Sequence, residues 1–452
     1  MNLFVAVSTG SQVSNLPPIL EMYQPGDKLL WIESPESKKG NWATKASELL
    51  TIRGLSILES IDVGNLNDRS EVLPAISSWK QNYKHSQKVQ YYLVLNGGTK
   101  WVPLWLLEAF RDWHPKLLYG SDRPATYMLQ SLDFASSPIQ RAYQNNCITL
   151  QEVLYLKGFE LFQSQDTQDA VQVWPGTATI ENSTDYGTIE STTYQLHQEH
   201  FDYRKALQSQ AIDEKHDIFP KINVPFQNLN LLVRTETFEK WQQQLKNFVR
   251  NPNPQFTENL FHGTANLYLA AARKQLEKME GIISPTSMLG PPLENAITHR
   301  IIGWLNQNKD IQTAVASIWK NVKICRLDNK SKAEAELDIV ILLKCGKLIY
   351  LECKAAKTDS KDIDAGSYRL QQASSTLAEQ FVVLPIYTRK CDTPWFQELH
   401  NERMKLGRQA IPFTMPGQPE SYPMIDANGA SEENPCPSFE ESLEKLLKPY
   451  CL

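Results

Sequence analysis

Two acidic residues and a lysine lie at the matching ends of two apolar runs in residues 336–354, ELDIVILLKCGKLIYLECK. The runs flank a Lys-Cys-Gly turn centred on Cys345, which has hairpin length and a glycine available for positive φ. A hairpin symmetric about Cys345 places Asp338 opposite Glu352 and puts Lys354 on the same sheet face as Glu352. The spacing therefore predicts three charged side chains at one end of an apolar hairpin.

Two carboxylates held side by side repel each other, and each loses part of its hydration. A divalent cation removes this conflict, because Mg²⁺ and Mn²⁺ prefer carboxylate oxygens. Such an ion polarises a phosphodiester and lowers the pKa of a bound water, while Lys354 orients that water or offsets charge developing on phosphorus. The residues predict metal-dependent phosphodiester hydrolysis. An ordinary cross-strand ion-pair group is the alternative interpretation.

The elements that must position these residues form a second αβ unit, which follows the breaker Gly290-Pro291-Pro292. Apolar periodicity predicts helices at 292–307, 367–380 and 438–448, and strands near 322–326, 337–343, 348–353 and 381–387. The preceding residues 163–200 are rich in Gln, Ser and Thr without a clear period, so both an irregular β insertion and a linker remain open.

The first 120 residues alternate strand and helix patterns. Strands are predicted at 3–8, 28–33, 55–61 and 90–95, and helices at 16–23, 41–52, 68–83 and 101–112. This alternation implies crossover connections and a mostly parallel sheet covered on both faces. The predicted fold class is α/β, with a Rossmann-like N-terminal domain that a hairpin at 115–129 closes.

Two polar loops follow predicted strands of that domain, where open αβ sheets bind ligands. Glycines let backbone amides approach a phosphate, and a hydroxyl and a lysine precede the helix that begins near Trp101. The candidate ligand-binding residues are Ser8, Thr9, Gly10, Ser11 and Gln12 in the first loop, and Asn96, Gly97, Gly98, Thr99 and Lys100 in the second. The spacing matches neither Walker A nor G-x-G-x-x-G, and a plain Asn-Gly-Gly turn is the alternative.

Length and composition limit the class of protein. The chain has 452 residues and a formal net charge of −5, which predicts two or three domains and requires a local basic surface for any nucleic acid. No apolar run approaches the roughly 18 residues of a membrane span, and the N-terminus lacks the positive flank of a signal peptide. Seven cysteines without a C-x-x-C motif fit a reducing compartment, so we expect a cytoplasmic protein without a membrane partner.

The set Asp338, Glu352-Cys353-Lys354 resembles the core motif of PD-(D/E)xK nucleases. That resemblance implies a restriction-endonuclease-like C-terminal domain with Asp338 and Glu352 as ligands of Mg²⁺ or Mn²⁺ and Lys354 as the catalytic lysine. It also implies Glu294 as a third acidic metal ligand and the backbone carbonyl of Cys353 as a further one. An acidic residue in the first turn of a helix also simply complements the helix dipole, so both roles remain open for Glu294.

A Rossmann-like domain with an Asn-Gly-Gly-Thr-Lys loop ahead of such a module resembles the CARF-domain effector nucleases of type III CRISPR systems. The resemblance implies a homodimer that a cyclic oligoadenylate activates to cleave DNA and/or RNA in antiviral defence, with cyclic tetraadenylate as the first candidate. It divides the chain into a CARF domain at 1–160, a linker or insertion at 161–284, and a nuclease domain with a C-terminal tail at 285–452. The alternatives are a catalytically inactive nucleotide-sensing regulator and a restriction- or repair-type nuclease that no nucleotide gates.

Overall fold

The computed structural model contains two mixed sheets, each with helices packed against it. It describes residues 1–83, 88–133, 136–144, 148–163, 170–175, 290–353, 378–386, 409–414, 424–425, 431–432 and 438–452. None of the helices in these ranges is long and apolar enough to cross a membrane.

The first sheet confirms the Rossmann-like prediction. Its strands are β1 (Asn2–Val7), β2 (Lys28–Glu33), β3 (Ser56–Ile57), β4 (Ile61–Asp62), β5 (Gln90–Val94), β6 (Lys116–Asp122), β7 (Ala125–Ser131) and β8 (Ile139–Ala142). The order is β3-β2-β1-β5-β6-β7-β8, with β4 also paired to β2. Pairing is parallel from β3 to β6 and antiparallel from β6 to β8. The strand predicted at 55–61 consists of the two short strands β3 and β4.

Helices cover both faces of this sheet. They are α1 (Leu16–Met22), α2 (Pro35–Lys39), α3 (Trp42–Ile52), α4 (Arg69–Asn82), α5 (Val102–Phe110) and α6 (Leu150–Lys157). Strand β1 is buried on both sides: Phe4 and Ala6 belong to one apolar core with α1 and α3, while Leu3 and Val5 belong to another with α4 and α5. Burial of alternate residues on opposite faces is typical of a central parallel strand.

The second sheet carries the apolar hairpin. Its strands are β9 (Phe159–Leu161), β10 (Val171–Trp174), β11 (Val315–Arg326), β12 (Ala335–Leu343), β13 (Leu348–Cys353), β14 (Ala378–Ile386) and β15 (Gln409–Thr414). The order is β10-β11-β12-β13-β14-β15, and β9 also pairs with β11. A separate two-stranded sheet joins β16 (Met424–Ile425) to β17 (Ser431–Glu432).

Two strands of this sheet come from chain that precedes the predicted nuclease domain. Strands β9 and β10 lie at the end of the predicted N-terminal domain and in the predicted linker, yet both pair with β11. Strand β11 is also longer than the 322–326 predicted, because it pairs with three other strands along its length. Residues 378–380 begin β14 and do not end a helix; the rest of the helix predicted at 367–380 lies outside the described residues.

Helices α7 (Gly290–Gln307), α8 (Lys309–Gln312) and α9 (Phe439–Leu447) complete this part of the fold. Helix α7 packs on β12 and β13, and α9 packs on β15. A capping box starts α9, since Ser438 Oγ accepts the Glu441 N–H at 3.1 Å and the Glu441 carboxylate accepts the Ser438 N–H at 2.8 Å. The predicted helices at 292–307 and 438–448 are confirmed.

Ion pairs and one aromatic ring connect the two sheets. Lys347, immediately before β13, lies 2.5 Å from Glu379 of β14 and 3.6 Å from Asp122, the last residue of β6. Arg123 pairs with Glu379 and donates to the Tyr450 hydroxyl at 2.9 Å. Because Tyr450 is almost fully buried, this cluster fixes the β6–β7 turn against the second sheet.

Candidate active site and ligand loops

The β12–β13 hairpin has the register that the sequence predicts. Ile339 pairs with Leu351, and the ladder continues to Leu342 and Leu348. Gly346 adopts a φ of +84° in the turn, a conformation that favours glycine. Continued by one residue beyond the Ile339–Leu351 pair, this register puts Asp338 beside Glu352 on adjacent strands, as predicted.

Hydrogen bonds from β13 orient both carboxylates. The backbone N–H of Cys353 donates to Asp338 Oδ2 at 2.6 Å, and the hydroxyl of Tyr350 donates to Glu352 Oε2. Burial, together with the charges of Asp338 and Glu352, raises the pKa of Tyr350 well above its ordinary value, so the phenol is a donor at neutral pH. The Cys353 side chain points to the opposite face from Glu352 and is buried.

Glu294 is half-buried in the second turn of α7, because the helix begins at Gly290 and its first turn holds no acidic residue. Its carboxylate acts on Lys320 of β11, where burial lowers the pKa of the ammonium group and the charge of Glu294 opposes that decrease. Within the described ranges, no three His, Cys, Asp or Glu side chains are grouped so as to hold a metal ion. The described structure thus brings Asp338 and Glu352 together. It places Glu294 close enough to Lys320 of β11 for the two charges to interact.

Lys354 lies outside the described residues, immediately after the end of β13. The predicted acidic pair still has the donor chemistry that Mg²⁺ and Mn²⁺ require, because two carboxylates and a nearby backbone carbonyl supply only oxygen. Magnesium in particular is commonly held by one or two carboxylates together with water and substrate phosphate. The residues at the end of the hairpin therefore fit the predicted cation.

The first candidate ligand loop is partly buried. Gln12 donates to Ser8 Oγ at 3.2 Å, and Asn15 donates to Gln12 Oε1 at 2.9 Å and to the carbonyl of Val7 at 3.0 Å. Ser8, Gln12 and Asn15 are each at most 5% exposed. The accessible part of the loop is therefore Thr9, Gly10 and Ser11. The hydrogen-bonded side-chain amides of Gln12 and Asn15 lie buried beside it.

The second candidate ligand loop contacts the first. A Cβ added at Gly97 would lie 2.7 Å from the Val7 carbonyl oxygen and 3.2 Å from Thr9 Cγ2, so only a glycine allows this approach. Gly98 has a φ of +83° at the turn into α5. The carboxyl ends of β1 and β5 thus bring the two predicted loops together.

The polar side chains of the second loop have different surroundings. Asn96 donates to the carbonyl of Gly120 at 2.6 Å and accepts its N–H at 2.7 Å, which ties the loop to β6. Thr99 donates to Asn67 Oδ1 at 2.6 Å, and Lys100 is exposed. In the described structure Asn96 positions the loop, while Gly98, Thr99 and Lys100 lie at its surface.

Sequence reasoning missed three residues that the structure brings to these sites. Tyr350 is two residues before Glu352, so strand alternation alone would have put it on the same face. The ring of Trp42, at the start of α3, packs 3.5 Å from a Cβ built at Gly10. Asn67, which accepts from Thr99, lies between β4 and α4 and has no local sequence signal.

Two solved structures resemble this one over most of their length. Protein VC1899 from Vibrio cholerae aligns with a TM-score of 0.55 and 16% identity, covering 91% of this chain and 94% of its own. Can2 from Sulfobacillus thermosulfidooxidans, solved in complex with cyclic tetra-adenylate, aligns with a TM-score of 0.52 and 13% identity, covering 91% and 95%. This chain has the fold of Can2. The predicted α/β fold class, and the resemblance to CARF-domain effectors at the level of fold, are confirmed.

Sequence comparison adds no relative, since no family model and no curated protein matches the chain. At identities this low, the agreement with Can2 concerns backbone architecture and not individual side chains. Functional arguments for this chain must therefore come from its own acidic pair and its own loops.

Proposed function

We propose that this protein is a cyclic-oligoadenylate-activated, metal-dependent endonuclease of type III CRISPR antiviral defence, acting as a cytoplasmic homodimer. One observation carries the catalytic part: Asp338 and Glu352 lie side by side at the end of the hairpin, each oriented by a hydrogen bond from β13. Carboxylates that are placed together and partly buried are costly unless a charge partner offsets them. A cation is the partner that gives this arrangement a chemical use.

The cation would be Mg²⁺ or Mn²⁺, held by Asp338, Glu352 and the carbonyl of Cys353, with Glu294 as a further acidic group. When bound, it supplies Lewis acidity toward the phosphodiester and a water of lowered pKa. The protein contributes orientation, because the Cys353 N–H fixes Asp338 and the Tyr350 hydroxyl fixes Glu352. Lys354, which follows directly, contributes positive charge toward the phosphate oxygens.

The activator would bind at the two loops of the first sheet. Can2, which shares the fold, was solved with cyclic tetra-adenylate, and here Gly97 brings the second loop against Thr9 of the first. Exposed backbone at Gly10 and Gly98 and the exposed ammonium of Lys100 suit a phosphate chain. A cyclic ligand with two-fold symmetry suits an isologous dimer, since each half then meets the same loops.

A cleavage assay with the purified protein tests this proposal. Plasmid DNA and single-stranded RNA are the substrates, each incubated with and without cyclic tetraadenylate and with and without Mn²⁺. Cleavage only when both additions are present is the expected result. Equal cleavage without the nucleotide would favour an ungated restriction- or repair-type nuclease. Nucleotide binding without cleavage of either substrate would favour an inactive sensing regulator.

A matched pair of lysine variants tests the activator site separately. Lys100→Ala removes an exposed ammonium from the second loop, and we expect cyclic tetraadenylate affinity to fall about 10-fold. Lys116→Ala removes an equally exposed lysine at the opposite end of the parallel strands, so its affinity should match the wild type. Isothermal titration measures both, and equal affinities for the two variants would place the ligand elsewhere.

A further inference from the structure

Tyr350 is the buried neighbour of the acidic pair. It lies two residues before Glu352 on β13 and opposite Val340 on β12, and it therefore shares the sheet face that carries Asp338 and Glu352. Its side chain is only 2% exposed. Its hydroxyl donates to Oε2 of Glu352, the next residue on the same face of β13.

A buried tyrosine needs a partner for its hydroxyl, because a phenol O–H removed from water without an acceptor costs roughly 1–3 kcal/mol. Apolar side chains dominate this hairpin, and neighbouring positions on both strands are Val, Ile and Leu. A phenylalanine would fill the same volume without that requirement. The polar atom is therefore explained by the carboxylate that it contacts.

The contact fixes which way Glu352 faces. A glutamate side chain has three rotatable bonds and loses substantial rotamer freedom when it is held in one orientation. A hydrogen bond to Oε2 from a rigid, buried ring removes that freedom before any ligand arrives. Asp338 is fixed in a parallel way by the Cys353 N–H, so the two donors on β13 act on the two carboxylates separately.

We infer that Tyr350 is a positioning residue of the proposed metal centre, whose hydroxyl orients Glu352 for cation binding without itself contacting the substrate. The inference rests on the proposed function. Outer hydrogen-bond partners of metal ligands typically contribute 10- to 100-fold to metal affinity. Loss of the hydroxyl should therefore weaken the cation and leave the nucleotide sensor unaffected.

Tyr350→Phe in the full-length protein tests this inference by isothermal titration with Mn²⁺. We expect the Mn²⁺ dissociation constant to rise about 10-fold, with cyclic tetraadenylate affinity unchanged. Saturating Mn²⁺ should restore most of the cleavage rate, because the ligands themselves remain. An unchanged Mn²⁺ dissociation constant would overturn the inference.

Tyr450→Phe is the matched control, because Tyr450 is equally buried and its hydroxyl accepts from Arg123 at 2.9 Å, away from the acidic pair. It should lower stability without changing Mn²⁺ affinity. If Tyr350→Phe is too unstable to purify, Tyr350→Met removes the donor from the same buried position and is read in the same way. Normal Mn²⁺ binding by Tyr350→Phe alongside inactivity of Glu352→Gln would reject this role and leave the proposed nuclease standing.

Discussion

Gly346 packs its α-carbon against the side chain of Val13, so that a Cβ added to the glycine would lie 2.7 Å from Val13 Cγ1. Gly346 is in the turn of the hairpin that carries Asp338 and Glu352, and Val13 follows Gln12 of the first ligand loop. The hairpin strand runs roughly 20 Å from this turn to the acidic pair. The first candidate ligand loop therefore lies next to the turn of the hairpin, and the candidate active site lies at the opposite end of the same hairpin.

We predict that Gly346→Ala destabilises the protein by about 1–3 kcal/mol, because the new side chain is strained at a φ of +84° and strikes Val13. In a Val13→Ala background the same change should cost less, since the contacting methyl groups are gone. Urea unfolding of the wild type, both single variants and the double variant measures this coupling.

Gly26→Ala is the control for this cycle. Gly26 has a similar φ of +89°, but nothing lies within 4 Å of an added Cβ, so the variant carries the backbone strain alone. Its cost should be smaller than that of Gly346→Ala and should not change with Val13→Ala. If the changes in unfolding free energy of Gly346→Ala and Val13→Ala are additive, the hairpin turn and the loop are not in energetic contact.

Cys345, in the same turn, should react slowly with iodoacetamide in the folded protein. Burial raises the pKa of its thiol to about 11, and only the thiolate is a good nucleophile. The labelling rate of Cys345 should therefore keep rising with pH beyond the ordinary cysteine range near 8.5. Peptide mapping by mass spectrometry measures it, with the less buried Cys451, whose thiol pKa burial also raises, as internal comparison. A rate for Cys345 that levels off near pH 9 would contradict the buried turn.

Asn96→Ala should lower stability by about 1–3 kcal/mol, because it removes both hydrogen bonds to the backbone of Gly120 and leaves those groups without their partner. Asn82→Ala is the control, since that exposed side chain makes a single 3.2 Å bond within its own helix. Thermal unfolding compares the two. Equal midpoints would show that Asn96 does not hold the second loop to β6.

The hairpin could be predicted in detail from the sequence because its information is local. Alternating apolar residues fix which side chains share a face, and the Lys-Cys-Gly turn fixes where the strands reverse. Together they gave the register that pairs Ile339 with Leu351 and puts Asp338 beside Glu352. The helices predicted at 41–52 and 68–83 were located for the same reason, because apolar spacing along a helix is also local information.

The pairing of β9 and β10 with β11 could not be predicted, because it joins residues more than 140 positions apart through backbone hydrogen bonds. Burial of Ser8 and Gln12 was also hidden, since polar residues after a strand look the same whether they face a ligand or an internal amide such as that of Asn15. The position of Tyr350 beside Glu352 was accessible from strand alternation, but an apolar run suggested only core packing.

The most direct test of the nuclease proposal is cleavage by Asp338→Asn and Glu352→Gln, measured on plasmid DNA and RNA with cyclic tetraadenylate and Mn²⁺. Both changes keep side-chain size and remove the charge, so we expect the rate to fall roughly 100-fold or more while nucleotide affinity is preserved. Glu444→Gln, which neutralises a half-buried carboxylate of α9 that pairs with Lys448 at 2.8 Å, should cleave like the wild type. Wild-type rates in Asp338→Asn and Glu352→Gln would contradict hydrolysis at this pair.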